Sequence, residues 1–351
     1  MSGRNRGRGK ADKGICMNAV QMMKVDADEA DMRLDRWFKA HFPGLGFGQL
    51  QKLLRSGQIR VEGGRVKTST RLLAGQMIRV PPLSGAAAPD QALGQSKAAW
   101  REDDATFLRS LILHEDKHVM VLNKPFGLAV QGGSGISRHV DGMLEAFRDR
   151  KGQKPRLVHR LDRDTTGVLL IARTRSAAKA MAESFRHRDT QKTYWAVVKG
   201  VPRPNEGRIS THLLKEMTDD GDRMRIARHG EPDADHAVTL YRVVEKAGDR
   251  LSWLELKPVT GRTHQLRIHT QHIGTPIIGD PKYFDIENWE LPNGIQKRLH
   301  LHARRIVIPH PAPHLGIPVL DISAPLSPHI RQTFNLLGFD EENGMSDEED
   351  F

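Results

Sequence analysis

The sequence predicts an α+β protein of two domains, and three observations carry that expectation. The chain has 351 residues, more than one ordinary core accommodates, so two domains are the natural division. Most of the later part reads as strand-length apolar runs that follow one another without regular helical crossovers, as across Glu245-Lys246-Ala247-Gly248-Asp249. That pattern favours a mainly antiparallel or mixed sheet with flanking helices. The early part instead combines two short helical patterns with two short strands, a small α/β unit.

Residues 1–25 show no periodicity and are expected to form a disordered basic tail. The first domain spans 26–81. Leu34, Trp37, Phe38 and His41 recur at helical spacing, and Pro43 with Gly44 ends that helix. Gly48 to Ser56 predicts a second helix, with Leu50, Leu53 and Leu54 inward and Gly57 as its C-cap. Strands follow at Gln58–Val61 and Met77–Val80, the first closed by a tight Glu62-Gly63-Gly64 turn. Residues 82–104 read as a linker, because 81–99 is rich in proline, alanine, glycine and serine. In the second domain, 105–338, strands are expected at Val119–Leu122, Val168–Ala172, Tyr194–Val198, Ala237–Val244, Leu251–Leu256 and Arg305–Ile308. Helices are expected at Val140–Arg148, Ser176–Arg188 and Thr263–Ile273. Residues 339–351 form an acidic, solvated tail.

Composition narrows the class of partner. Hydrophobic residues make up 38% of the chain and charged residues 28%. No run reaches the roughly 18 apolar residues of a membrane span. One cysteine, Cys16, rules out a disulfide framework and a cysteine-based zinc site. A reducing, cytoplasmic setting away from any membrane is therefore expected. Lysine and arginine number 54 against 43 acids, a net charge of +11, which calls for an anionic partner. From Met32 to Val80, ten lysines and arginines face only Asp35 and Glu62, so much of the excess sits in one small domain. Nucleic acid fits that concentration, with Arg33, Arg36, Lys52, Arg55, Arg60 and Arg65 as expected phosphate contacts.

Two segments can carry chemistry. In LVHRLDRDTTGVLLIA, Leu157–Ala172, a strand-like run enters, a polar turn follows and an apolar strand leaves. Loops held between strands place reactive groups on a rigid support. Taken alone, the loop fits a turn stabilised by Asp162 or Asp164 equally well. In LELKPVTGRTHQLRIHTQHIGTPIIGD, Leu254–Asp280, Thr263 is expected to cap a helix that ends at Gly274. Its polar side carries His264, Arg267 and Gln271. His264, His269 and His272 do not share one face and no carboxylate is interleaved, so no metal site is expected. Gln131–Gly135 is glycine-rich but lacks a following Gly-Lys-Ser/Thr, so it reads as a plain loop. On the strand at Lys192–Gly200, Tyr194 and Trp195 point to opposite faces; one belongs to the core, the other to a cleft or solvent.

Together these segments resemble the RluA-type family of pseudouridine synthases. The resemblance rests on His159-Arg160-Leu161-Asp162-Arg163-Asp164-Thr165-Thr166-Gly167, on Lys192-Thr193-Tyr194, on Thr260–His269, on Gly274–Phe284 and on Leu299–Ile306. They occur in the family's order across most of 105–330, with Thr166 standing where the family usually has serine. Leu122–Gly135 is most similar to the RluC-like branch, which modifies large-subunit ribosomal RNA. RLDRWF, LQKLLRSGQIRVEGGRV and AGQMIRV in the first domain resemble the S4-like RNA-binding domain.

The resemblance implies roles at the matching positions. Asp162 would be the catalytic aspartate, Tyr194 would stack on the target base, and Arg267 would pair with Asp162. Arg160 would help displace the target nucleotide, and His159, Thr165, Arg262, His264 and Gln265 would line the substrate site. No cofactor is implied, and the expected protein is a monomer acting on ribosomal RNA. The reaction moves uracil from its N1 to its C5 attachment on the ribose. A single carboxylate can serve by attacking C1′ or by removing a sugar proton. Either step needs an ionised aspartate, which a nearby guanidinium favours. Rival readings are the same chemistry on transfer RNA and a non-catalytic RNA-binding or ribosome-assembly protein. A hydrolase would want a metal cluster or paired carboxylates, which the sequence lacks. Deleting residues 1–80 is expected to weaken RNA binding and to restrict it to low salt. Filter-binding titrations across a salt series check this, and unchanged affinity and target choice would make the first domain a bystander.

Overall fold

Packing between residues divides the chain into two units, Met1–Lys97 and Ala98–Phe351. The computed structural model describes residues 20–26, 29–42, 44–83, 94–132, 136, 138–149, 152–218, 221–228, 230–284, 289–313 and 316–344.

The first unit contains β1 (Gln21–Lys24), α1 (Leu34–His41), α2 (Phe47–Arg55), β2 (Arg60–Val61) and β3 (Met77–Val80). β3 lies between β1 and β2 and is antiparallel to both. Leu34, Trp37 and Phe38 from α1 pack with Leu50 and Leu54 from α2 and with Ile59, Leu72 and Ile78. A buried carboxylate, Glu29, accepts the Trp37 indole N–H at 2.9 Å and bonds His41 Nε2 at 2.7 Å. The expected tight turn forms: Glu62 and Gly63 take left-handed φ values of 50° and 73° between the bridged Val61 and Gly64. Arg33, Arg36, Lys52, Arg55, Arg60 and Arg65 are all exposed. Of these, Arg33 pairs with Asp35 at 2.8 Å, and Arg60 is tied to the carbonyls of Gly57 and Gly63, each at 3.1 Å.

One boundary is corrected here. β1 and the buried Val25 fall inside the stretch expected to be a disordered tail. Four residues are too few to show a period, yet pairing with β3 satisfies their backbone. Residues 1–19 and Pro43 of the expected helix stop lie outside the described residues.

The second unit opens within α3 (Gly94–Ser110), whose first four residues are counted with the first unit, followed by β4 (Ile112–Glu115), β5 (Val119–Lys124), α4 (Val140–Met143), β6 (Arg156–Leu157), β7 (Thr166–Ala172) and α5 (Arg175–His187). It continues with β8 (Gln191–Lys199), β9 (Glu206–Thr218), β10 (Gly221–Ile226), β11 (Asp235–Ala247), β12 (Leu251–Pro258), α6 (Gln265–His272), β13 (Leu301–Pro309), β14 (Val319–Ser323) and α7 (Pro328–Leu337). α3 overturns the linker expectation for 94–104. The buried Ala105 and Leu108 anchor it at helical spacing, and the helix runs on toward its N-terminus. Residues 84–93 of that linker lie outside the described residues.

Nine strands run in the order β10-β9-β11-β12-β8-β13-β7-β5-β4, with β14 on β13 and β6 on β7. The expected α+β class holds. Neighbours are antiparallel except for β13 against β7, where His302 faces Thr166 and Ala303 faces Gly167 in parallel. This short junction joins the two halves of the sheet. Trp195 and Trp253 pack on one face with Phe334 of α7 and Phe339. The acidic end is not wholly a solvated tail: Phe339 is buried, and a 3₁₀ turn at Glu341–Gly344 follows. A Cβ on Gly344 would come within 2.4 Å of the Trp253 ring, so the missing side chain lets the backbone close over the indoles. Residues 345–351 are outside the described residues.

β13 enters the core with two histidines. His300 Nε2 bonds Thr333 Oγ1 of α7 at 2.8 Å, and His302 Nδ1 bonds Thr166 Oγ1 of β7 at 2.8 Å. Burial pushes His300 down to about 4 and His302 to about 3. His269 of α6, held by Thr239 and Thr211 at 2.9 and 3.0 Å, is pushed down to about 4 by the same cause. The unfolded chain protonates these rings near their ordinary value, whereas the fold resists. Below pH ~6.5 the unfolded state therefore binds more protons, and stability falls as pH drops toward ~4. Urea midpoints at pH 7 and pH 5 should show a clear loss at the lower pH; equal midpoints would contradict the buried neutral histidines.

Candidate active site

β6 and β7 hold the polar loop between them, and the backbone N–H of Thr165 closes onto the Asp162 carbonyl at 3.2 Å. Gly167 then takes φ 104°, and a Cβ there would sit 2.2 Å from the Ala303 carbonyl oxygen. Only glycine lets β7 approach β13 this closely. Below the loop, the buried Lys124 ammonium donates to the carbonyls of Pro125, Leu128 and Arg163 at 3.0, 2.9 and 2.8 Å. Burial pushes its pKa down to about 7 against the opposing pull of Asp164 and Asp162.

α6 supplies the opposite wall. Arg267 Nη1 donates to Asp162 Oδ2 at 3.2 Å. Its Nε and Nη2 donate to Asp280 Oδ2 and Oδ1, each at 2.7 Å, in a planar two-point pair. Asp280 is wholly buried and also accepts the backbone N–H groups of Lys282 and Tyr283 at 2.9 and 3.2 Å. These partners raise the Arg267 pKa further above its ordinary value despite burial. The Tyr283 ring lies 5.2 Å from the guanidinium carbon. Its hydroxyl accepts from Met224 N at 2.8 Å and shares a hydrogen bond with His264 Nδ1 at 2.9 Å. The other imidazole nitrogen, Nε2, lies 3.7 Å from Asp162 Oδ2. Burial lowers the His264 pKa and keeps the ring neutral. Thr263 does not cap this helix. His264 occupies the N-cap with a left-handed φ of 53°, which turns its ring toward the aspartate.

The strand ambiguity resolves clearly. Trp195 is core, while Tyr194 lines the cavity. Burial, reinforced by the charge of Asp162, raises the Tyr194 pKa, so the phenol stays protonated at neutral pH. Asp162, Tyr194 and Arg267 therefore share one cavity of about 600 Å³. Six lysine or arginine side chains and a single carboxylate, Asp162, line it among the described residues. Arg160 and Arg262 stand exposed at its rim; Arg262 reaches Asp235 at 3.2 Å. Thr165 is a buried part of the wall.

Two of the residues expected to line the substrate site, His159 and Gln265, line the cavity and also brace its backbone. His159 accepts the Leu170 backbone N–H on Nε2 at 2.8 Å and stacks on Phe185, and desolvation pushes it down to about 3. Gln265 spends its amide on Val238 O and Thr239 Oγ1, at 2.8 and 2.9 Å, and its oxygen on Thr260 and Arg262 N, at 2.7 and 3.0 Å. With both ends occupied and the residue buried, it shapes the turn carrying Arg262. Sequence reading missed Asp280, Tyr283, Lys124 and Lys192. An aspartate directly after the apolar Thr275–Gly279 run was the available signal for Asp280. Gly133–Gly135 of the glycine-rich loop lie outside the described residues.

Residues 118–272 match the family model described as RNA pseudouridylate synthase. The ribosomal large subunit pseudouridine synthase C of Escherichia coli (strain K12) is 36% identical over 327 residues, covering 91% of this chain and 97% of that protein. The enzyme of the same name from Vibrio cholerae is 36% identical over 317 residues, covering 89% of this chain and 95% of its own. Among solved structures, human RNA pseudouridylate synthase domain containing 4 superposes with a TM-score of 0.57 at 30% identity. It covers 69% of this chain and 98% of that one.

Asp280→Asn removes the charge that balances Arg267 in the interior. The substitution is expected to cost about 3 kcal/mol of stability, read as a lower urea midpoint with an unchanged slope. Wild-type stability would show that Asp162 alone suffices to hold the guanidinium.

Proposed function

The chain belongs to the RNA pseudouridylate synthase family, in its RluC-like branch, and from that premise we propose that it isomerises uridines of large-subunit ribosomal RNA with Asp162 as the catalytic residue. The observation that carries this reading is the meeting of Asp162, Tyr194 and Arg267 around one cavity. Two relatives named for the ribosomal large subunit, each matching this chain over nearly its whole length, support the choice of RNA.

Uridine enters the cavity only after leaving its stack, at a cost of a few kcal/mol. The Tyr194 ring offers a face for the displaced base, and its protonated hydroxyl can donate a hydrogen bond. Asp162 faces the sugar, with Arg267 ordering its Oδ2 oxygen. The carboxylate acts at C1′ or on a sugar proton, the bond to N1 breaks, the base turns, and C5 bonds to C1′. The C5 proton leaves and N1 takes one up, and a sugar proton removed on the second route is returned, so atoms and charge balance without oxidation. Arg160 and Arg262 at the rim meet the phosphates on either side of the flipped nucleotide. The exposed arginines and lysines of the first unit add contacts to the backbone, in the manner of an S4-like domain. A cytoplasmic monomer is the expected form of the enzyme.

Asp162→Asn keeps the shape of the loop and removes the reacting charge. Pseudouridine mapping on ribosomal RNA incubated with the variant should show no product, while RNA affinity and melting stay near wild type. Near wild-type product would remove Asp162 from its role. Mapping across ribosomal and transfer RNA from cells with and without this gene identifies the substrate; changes confined to transfer RNA would overturn the choice of ribosomal RNA.

A further inference from the structure

β8 carries Lys192 two residues before Tyr194, so both side chains leave the same face of the strand and both line the cavity. Three neighbouring cations are satisfied, and Arg160, Arg186 and Arg188, which also line the cavity, stand exposed to water. Arg267 is bound by Asp280 and Asp162, Lys124 by three carbonyls, and Arg262 by Asp235. The Lys192 ammonium, by contrast, makes no hydrogen bond and no ion pair with the described residues. It is also only partly open to water, and its burial lowers its pKa with no acceptor to offset this. The nitrogen lies beside the Thr260–Gly261–Arg262 turn, 4.0 Å from where a Cβ on Gly261 would stand.

A half-buried cation without a counter-charge is costly, and removal of water by a ligand raises the cost unless the ligand brings an anion. We propose that Lys192 binds a phosphodiester oxygen adjoining the displaced uridine. The proposal deepens the pseudouridine synthase reading and rests on it. The anions of an RNA are its phosphates, and Lys is suited to them as a point charge. With the base on Tyr194 and the sugar on Asp162, the phosphate is the part of the nucleotide left to meet Lys192. Asp162, the only carboxylate lining the cavity among the described residues, is already engaged by Arg267.

The test compares wild type, Lys192→Met and Lys192→Arg on a large-subunit ribosomal RNA fragment. Turnover and equilibrium binding are both measured across a potassium chloride series. Lys192→Met should raise KM roughly 10- to 100-fold with little change in kcat, as loss of one charged hydrogen bond requires. Its log–log salt dependence of binding should be shallower by about 0.7, the value for one phosphate of a single strand. Lys192→Arg should restore the slope. A slope unchanged in a Lys192→Met protein of normal urea midpoint would overturn the proposal. So would a loss confined to kcat, which would put the ammonium on the base or sugar. The two readings separate cleanly: wild-type turnover decides the reaction, and the difference in slope between variants decides Lys192.

Discussion

The site depends on one buried guanidinium shared unequally between two carboxylates. Asp280 takes two of the Arg267 donors in a planar pair and has no exposure to solvent. Asp162 takes a third, more distantly, and keeps its outer edge toward the cavity. The inner pair fixes the position of α6 and leaves a charged group aimed at the loop between β6 and β7. A lone Asp162–Arg267 pair would have to serve as both anchor and reagent. Dividing the work lets the anchor be buried while the reagent stays reachable.

Around that ion network the protein keeps its other titratable groups neutral or occupied. His264 is bonded to Tyr283 and kept neutral by burial, and Tyr194 is held as a phenol by desolvation. His159 and Gln265 are absorbed into backbone bracing. Arg267 and Lys124 have protein acceptors, Arg160 and Arg262 at the rim are exposed, and Lys192 alone is half-buried without an acceptor among the described residues lining the cavity. The resulting cavity has a localised negative charge at its floor and a positive margin, which attracts a polyanion while reserving the carboxylate for one sugar.

Much of this was legible in the sequence, for identifiable reasons. Asp162, Tyr194 and Arg267 sit in dense motifs, and the α+β class followed from strand-length runs with few helices between them. Strand faces were also readable: Tyr194 and Trp195 had to part, although only packing against Trp253 and Phe334 decides which went inward. What was not legible depends on pairing in space. Asp280 stands beyond the end of α6, and nothing local says that its partner is Arg267. The bracing by His159 and Gln265 was hidden because a polar side chain in a motif does not announce that it bonds to the backbone. β1, α3 and the turn at Glu341–Gly344 were hidden because one or two buried residues hold each, too few for periodicity to register. β9, β10, β14 and α7 were likewise not singled out.

The parallel contact of β7 with β13 bears on how the enzyme is made. Thr166 and His302 are 136 residues apart in the chain, yet their strands lie side by side, and β13 is also the strand that links β7 to β8. Until β13 has emerged during translation, the strip bearing the Asp162 loop and the strip bearing Tyr194 lack the strand that pairs with both. Contacts of such long range form late. A nascent chain that already contains the whole of 118–272 is thus still without a working cavity. Completion of the sheet around the cavity must wait for β13, Leu301–Pro309.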